Sequence, residues 1–536
     1  MASRRNVPLT PHPRMPAGPR LTAAQARIVD PSQVVDGVSG RPTAYVATRL
    51  MIAKGRGYPR HLAQLREVAA QHGWEVAEDP EDVRAAGLSL GVRTVTVSGP
   101  PSGEQPDAWL LLQYLRRHRK GDLRGVDLDH VVSTQPFRPN PWEIPHPWEI
   151  PHPWEIPHPD VASAVSAGLL SYGIPGSGGR QPIAYSGPPP QRRTDAEIRG
   201  RRPVVAVLDT GCFPHAWFDP RDRRGRDRAV VRTDVTLDGL PIGDTDPDTD
   251  IEVHGDLTGP FDGSIDRIAG HGTFIAGLVH QACPDAEILS WRAIPAKDPL
   301  VESQWLTLLA QVIELVRRHR AGEPGGHAID VLSLSMGYYH EDPSDELLDP
   351  ILLTMVDKLQ QLGVVVVCSA GNDATDRPCY PAAFAPWRNG RGRLKVDGNR
   401  VPVVSVGALN PNSTDALFTN GGTWVRAYGP GASVMSTMPP FEGGLDPIAS
   451  TRVHGRARES VDMDDYRALT DGDGKQRGGF GLWSGTSFAA PIVAGRIAAS
   501  LAAKLTDRPG YRDTPAAARR RGWDAVEDVT DIARPQ

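Results

Sequence analysis

Two kinds of hydrophobic pattern divide the chain. From Thr43 to Thr134 the pattern is mixed, with half-buried strands and short helices. "TAYVATRLMIA" is a strand-like run. In "PRHLAQLREVAAQHG", Leu62, Leu65, Val68 and His72 recur at helical spacing, which predicts a helix. "WEVAED" and "RTVTVSG" alternate apolar and polar residues, as strands with one wet face do. "DAWLLLQYLRRHR" predicts a second helix, with Arg and His in its last turn where the helix dipole favours positive charge. "VDLDHVVST" predicts a fourth strand. The order βαββαβ over 43–134 is that of a small ferredoxin-like α+β domain.

From Pro203 the pattern changes. "VVAVLDTG", "EILSWRAI", "DVLSLSMG", "VVVVCSAG" and "PVVSVGAL" are short, continuous apolar runs. Long amphipathic stretches lie between them, such as "SQWLTLLAQVIELVRRHR" and "LLDPILLTMVDKLQQLG". Buried strands alternating with helices predict an α/β domain over 203–505, with a doubly wound, mostly parallel sheet covered on both faces. A short helical tail is expected at 506–536.

The remaining segments are unpatterned. Residues 1–42 are rich in Pro and Arg and are expected to be disordered. Residues 135–202 read as a linker that carries three copies of PWEIPH between Pro141 and His158. Polyproline II has three residues per turn, so each six-residue copy returns to the same faces. Trp142, Trp148 and Trp154 then share one edge, Ile144, Ile150 and Ile156 a second, and Glu143, Glu149 and Glu155 a polar third. The repeat reads either as a spacer or as a connection that lies along the protein surface, spanning on the order of 55 Å.

Composition narrows the function. A chain of 536 residues holds two or three domains, and 39% hydrophobic residues supply their cores. A net charge of −5 gives no electrostatic case for a nucleic-acid or membrane partner. Four cysteines are too few for a disulfide framework. Arg4 and Arg5 precede no apolar run, and no stretch is expected to reach the ~20 apolar residues of a membrane span. A cytoplasmic protein with reduced thiols is the expectation.

Three places in the second domain carry chemistry. "VLDTG" puts Asp209 at the carboxyl end of a buried strand, where open α/β sheets place their sites. "GHGTFIAG" puts His271, and "SGTSFAAPIVAG" puts Ser487, at the start of predicted helices. A serine hydroxyl needs a histidine to take its proton, and that histidine needs a buried carboxylate to fix its tautomer. "SAGND" adds Asn372 directly after a strand, able to offer a side-chain amide to a developing oxyanion.

With "VAVLDTG", "HGTFIAG", "LSLSMG", "SAGN" and "GTSFAAP" in the order Asp, His, Asn, Ser, residues 203–505 resemble the subtilisin-like serine proteases. The resemblance implies a serine endopeptidase acting on protein or peptide substrates, with no required cofactor. It implies Ser487 as nucleophile, His271 as general base and then acid, Asp209 as its orienting carboxylate, and Asn372 in the oxyanion hole. Ser335, Met336 and Gly337, with Ala370 and Gly371, would line the extended substrate. Family zymogens carry a βαββαβ prodomain that chaperones and then inhibits. "DHVVST" resembles the end of one, with Asp129, His130 and Val131 as the matching residues, so an intramolecular inhibitor is implied.

The chain departs from that pattern. The family's cut would fall near Gln135, ahead of Pro136, a bond such enzymes cleave poorly. Phe274 stands where the family often has a second histidine, outside the triad. Extra segments near 220–266, 385–400 and 440–480 are expected around the cleft. Family members often bind calcium. Asp244, Asp246, Asp248 and Asp250 alternate as in calcium loops but lack the Gly and Glu of an EF-hand, so they read as a solvated acidic loop, with structural calcium the alternative. Cys212 and Cys368 read as packed and inert, and His215, His254 and His340 as surface or loop residues. Asp373 gives a weak preference for a basic residue before the cut. The rival to an enzyme is an interaction protein on a protease scaffold that recruits partners through the Pro/Trp repeat.

Overall fold

The computed structural model describes residues 26–119, 125–133, 180–183, 188–219, 228–255, 257, 266, 268–296, 299–342, 350–390, 397–439, 441, 451–453, 456–458, 479–507 and 513–535. The PWEIPH repeat, the Gln135–Pro136 bond and much of the extra segments lie outside the described residues.

The N-terminal unit follows the expected order: β2 (Ala44–Ala53), α1 (Tyr58–Gln71), β3 (Glu75–Glu78), β4 (Val92–Ser98), α2 (Ala108–Arg119) and β5 (Val126–Val132). All of its neighbouring strands pair antiparallel, in the order β5-β2-β4-β3. The segment expected to be a disordered tail, 1–42, contributes a strand, β1 (Ala26–Ile28), which pairs with Ala44–Val46. Arg27 explains part of that: its guanidinium reaches Asp107 at 2.9 Å, and Asp107 in turn accepts from Tyr45.

One face of this small sheet packs on α1 and α2 around Tyr45, Leu50, Ile52, Leu65, Trp109 and Leu112. Its other face is wet only toward β3, where Glu75 and Ser98 are exposed. Met51, Val92 and Val132 join the core of the second unit. They meet a helix there, α4 below.

The second unit begins at β6 (Val204–Asp209) and continues with β7 (Val231–Arg232), α3 (His271–Ala282), β8 (Glu287–Arg292), β9 (Leu300–Val301) and α4 (Glu302–Ala321). Then follow β10 (Val331–Leu334), α5 (Pro350–Gln361), β11 (Val365–Ser369), β12 (Val404–Leu409), β13 (Ala427–Pro430), α6 (Thr486–Leu505) and α7 (Pro515–Val529). Seven strands form one sheet in the order β13-β12-β11-β10-β6-β8-β7, and every pair is parallel. Along β6, Val204, Ala206 and Leu208 enter one core with Trp305 and Leu309 of α4. Val205 and Val207 enter the other with Ile275 and Val279 of α3 and Ile497 of α6. This is the doubly wound α/β architecture. From β6 the chain goes to β8 on one side and to β10 on the other, so a crevice opens beyond the carboxyl ends of β6 and β10, where such sheets bind ligands.

The C-terminal tail is helical as expected, and α7 buries Trp523, Ala525 and Val526 against the core. One expectation needs correcting: not every apolar stretch is too short for a membrane. Thr486–Leu505 is long and apolar enough by composition, with a mean hydropathy of 1.4. It is a core helix here, with 67% of that window buried against α3 and the sheet. A parallel sheet covered on both faces needs such helices.

Candidate active site

Asp209 ends β6 and is fully buried. Its Oδ1 accepts from the Thr210 backbone N–H at 2.8 Å and faces His271 Nδ1 at 2.7 Å. That contact places a proton on Nδ1 and leaves Nε2 free to accept one. His271 is the first residue of α3, reached through Gly270 in the left-handed region (φ 81°). The next residue must be small, because a Cβ on Gly272 would lie 2.1 Å from the Gly211 carbonyl oxygen. That close approach holds the aspartate and histidine segments together.

Ser487 lies in the first turn of α6 and is buried. Phe488, the next residue, stacks near His271 (5.2 Å between ring centroids), and Trp483 meets the same ring edge-on at 5.6 Å. Phe274 packs on Phe488 at 4.7 Å and on Trp483 at 5.7 Å. An aromatic cluster thus sits where the family often has a second histidine. Pro491 lies inside α6 and has no N–H to donate to the carbonyl four residues back. That carbonyl belongs to Ser487, and it accepts from Ser335 Oγ at 2.9 Å. The Ser487 hydroxyl itself donates to the Ser335 carbonyl at 3.4 Å, a long bond that leaves it able to re-aim.

Asn372 follows β11. Its Oδ1 accepts from the Thr486 N–H at 2.8 Å and from the Thr486 hydroxyl at 2.9 Å. Because the oxygen is used this way, the amide nitrogen is the end left to donate toward the first turn of α6. The loop that carries it is held by Asn420, a fully buried residue without a recognisable motif. Asn420 Oδ1 accepts from Asp373 N (2.9 Å), while its Nδ2 donates to Ala370 O (2.9 Å). Gly371 needs its φ of +105°, and its N–H donates to Thr486 Oγ1 at 3.1 Å.

Of the residues expected to line a substrate, Gly337 has its backbone occupied. Its N–H donates to Ser133 O at 2.9 Å and its carbonyl accepts from Ser133 N at 3.1 Å, an antiparallel bridge to the N-terminal unit. Upstream, β5 pairs antiparallel with β9, Val131 opposite Val301 and Val132 opposite Leu300. A cleft at this junction is lined by Val131, Ser133, Gly337, Gly371, Asn372 and Asp373. Asp373 accepts from Tyr339 OH at 2.5 Å.

The interface is also polar. Asp129 of β5 caps α4, which has no side-chain cap of its own: Ser303 N donates to it at 2.9 Å and Ser303 Oγ at 2.8 Å. The His130 ring lies between two buried carboxylates, Glu302 (2.7 Å from Nδ1) and Glu341 (3.0 Å from Nε2). His340, expected at the surface, is buried here too, 3.7 Å from Asp127. Asp127, His130, His340 and Glu341 lie close enough together to hold a metal ion. However, His340 Nδ1 accepts the Asp342 N–H at 3.2 Å, so its ring proton belongs on Nε2, facing Asp127, and that nitrogen is not a free ligand.

Other expected residues take no part in the triad contacts. His215 is buried instead of exposed. Its Nε2 meets the Gly479 carbonyl at 2.9 Å, and burial pulls the ring down to about 4, so it is neutral. His254 binds the Pro247 carbonyl at 3.0 Å. Asp246 and Asp250 cap short helical turns, and Asp244 pairs with Arg292 at 3.2 Å. Burial pushes the thiols of Cys212 and Cys368 up, which keeps them protonated. Glu252, next to that acidic stretch, reaches the histidine helix and was invisible to motif reasoning.

A sequence profile of the Subtilase family matches residues 200–520. Mycosin-4 of Mycobacterium tuberculosis (strain ATCC 25618 / H37Rv) is 27% identical over 346 residues, 61% of this chain and 63% of that protein. An intracellular serine protease of Paenibacillus polymyxa is 25% identical over 257 residues, 45% of this chain and 60% of that protein. The chain therefore matches less than two thirds of the length of these relatives. The crystal structure of a lanthipeptide protease shares 20% identity, with 60% of this chain and 80% of that one covered at a TM-score of 0.36, too loose a likeness to argue from.

Proposed function

Since the chain belongs to the subtilase family, we propose that it is a serine endopeptidase with Ser487 as nucleophile, His271 as general base and then acid, and Asp209 as the carboxylate that orients His271. The observation that carries this reading is the 2.7 Å contact between Asp209 and His271 Nδ1, with Ser487 and Asn372 joined through Thr486 at the helix start beside that ring. Attack begins when the Ser487 hydroxyl turns from the Ser335 carbonyl to His271 Nε2, which takes its proton. The oxygen bonds to the scissile carbonyl carbon, and the resulting oxyanion takes hydrogen bonds from Asn372 Nδ2 and the N-terminus of α6. His271 then gives its proton to the leaving amine, and water repeats the sequence on the acyl-enzyme. The chemistry asks for no cofactor.

The N-terminal unit is the inhibitor in this proposal. Support comes from Ser133, whose backbone already occupies the edge of Gly337 that an extended substrate would use. Location in the cytoplasm belongs to the same proposal, in keeping with the free thiols of Cys212, Cys283, Cys368 and Cys379.

Labelling of the purified chain by a fluorophosphonate probe, beside Ser487→Ala, tests the enzyme. Labelling that depends on Ser487 is expected, if necessary after proteolytic removal of the N-terminal unit. Its absence under both conditions refutes the reading. Asn372→Ala is expected to keep labelling and to lose ~10²–10³ in kcat, a range taken from a subtilisin and so from this same family.

A further inference from the structure

We propose that Glu252 is a positioning residue for the catalytic pair, tying the N-terminus of the histidine helix to the end of the aspartate strand through Thr210 and Thr273. The inference rests on the protease reading above.

The first N–H groups of any helix need outside acceptors. In α3 no side chain near Gly270 provides one. Glu252 does so from a separate one-turn helix, Ile251–His254. Its Oε1 accepts from Gly272 N at 3.2 Å and its Oε2 from Thr273 N at 3.3 Å. The Thr273 hydroxyl bonds Oε2, and the Thr210 hydroxyl bonds Oε1. Glu252 is 1% exposed, so every one of these contacts is shielded from water.

Thr210 makes this more than a cap. Its oxygen accepts the Gly272 N–H at 2.7 Å and lies 3.2 Å from Asp209 Oδ1. A hydroxyl has one proton to give. If Glu252 is ionised, that proton goes to Glu252. If Glu252 is protonated, its own O–H can point at Thr210, and the Thr210 proton turns to Asp209 Oδ1, the atom that meets His271. The protonation state of Glu252 thereby sets how many donors hold the catalytic aspartate.

Burial pushes the Glu252 carboxyl up, the Thr210 and Thr273 hydroxyls pull it back, and the net value is about 8. The charged or titratable groups around it are Asp209 and His271 on the catalytic side, the Cys212 thiol, and Asp250 with its partner Arg292 (3.7 Å). Asp209 and Asp250 both add to the upward shift.

Two measurements on the full chain test this. In a Ser487→Ala background, the Nδ1 proton of His271 is followed by NMR from about pH 6 to about pH 10. A step near pH 8 is expected that Glu252→Gln abolishes. No step, or a step that persists in Glu252→Gln, overturns the proposal whether or not the chain is an enzyme. In peptide hydrolysis, Glu252→Ala should lose roughly 10–100-fold in kcat at unchanged KM, and Glu252→Gln should restore most of it at neutral pH. Wild-type kcat in Glu252→Ala overturns the proposal. If Glu252→Ala does not fold, the Glu252→Gln titration decides alone. Absence of Ser487-dependent turnover in the wild type, both intact and after proteolytic removal of the N-terminal unit, refutes the protease reading and leaves the NMR result to judge Glu252.

Discussion

Replacing His130 by alanine should release the N-terminal unit from the protease unit. The imidazole is fully buried and stacks on Tyr338 at 4.5 Å. Each ring nitrogen faces a carboxylate, at 2.7 and 3.0 Å, and ionised carboxylates only accept, so both nitrogens must donate. With both carboxylates ionised the ring is an imidazolium, a state favoured at Glu341, which His340 and Arg116 hold well below the usual carboxylate range. Around it Asp127, Glu302 and Glu341 face Arg116, His130 and His340, three acids against three bases when both rings are charged. Breaking a buried ion pair by removing one partner costs ~3–5 kcal/mol. Here Glu341 keeps Arg116 at 2.8 Å and Glu302 keeps Tyr338 OH at 2.9 Å, so the low end applies. About 3 kcal/mol shifts the ratio of docked to released unit by roughly 100-fold. The assay compares peptide hydrolysis by intact wild type, intact His130→Ala and the nicked form of each. Intact His130→Ala should approach the nicked rate. If intact wild type and intact His130→Ala run equally, with nicking still raising both, the network does not hold the inhibitor in place.

Three further outcomes follow. Burial pulls His340 down but Glu341 and Asp127 outweigh it, so the ring sits above its ordinary value; on protonation Nδ1 exchanges the Asp342 N–H for Glu341 at 3.5 Å, which favours docking below the ordinary histidine value and is lost as pH rises through the raised one. The activity ratio of intact to nicked enzyme should therefore climb as pH rises above about 6.5, and a flat ratio refutes the linkage. Asp513 meets Arg201 (2.6 Å), His319 (3.1 Å), Arg320 and Arg521, so Asp513→Asn removes a charge shared by three guanidinium groups; Arg201 and Arg320 keep Asp330, and the cost should be about 3 kcal/mol in denaturant unfolding. Because the Glu252 carboxyl is protonated to a higher pH in the folded chain than in the unfolded one, wild-type stability should fall between about pH 4.5 and about pH 8 relative to Glu252→Gln, read as a widening gap in thermal midpoints.

The triad segments were legible because their signals are local. A buried strand that ends in Asp209 and two helix starts at His271 and Ser487 are each written in a handful of adjacent residues. Glu252 and Asn420 are not. Each is a single polar residue in a loop-like stretch, "DIEVHG" and "FTNGG", whose partners lie at distant points of the chain. Nothing in their neighbourhood distinguishes them from solvated residues, since burial is decided by what closes over them. The packing of the C-terminal helix was hidden for a similar reason: "PAAARRRGWDAVEDV" looks polar, yet Arg521 is drawn inward by Asp513 and Trp523 by the core.

The docking of the two units was partly written in α4, and the clue lies in how much of that helix is apolar. A helix that covers one side of a sheet shows a single stripe. In α4, Trp305, Leu306, Leu308, Leu309, Val312, Ile313, Leu315 and Val316 are all buried, which is more than one stripe can hold. Such a helix has two apolar neighbours. One is the parallel sheet, through Ala206 and Leu208 of β6. The other is the outer face of the N-terminal sheet, through Met51, Val92 and Val132. That face is apolar where α4 covers it and polar only toward β3, where Glu75 and Ser98 reach solvent. Two surfaces that would each be unsound alone are thus complementary, and the polar network of Asp129 and His130 at the α4 N-terminus fixes their register. The same arithmetic of apolar faces argues that separating the units exposes a hydrophobic side of α4, so a nicked enzyme should bind a hydrophobic dye such as ANS more strongly than the intact chain; equal dye binding would mean that the units stay docked after the cut.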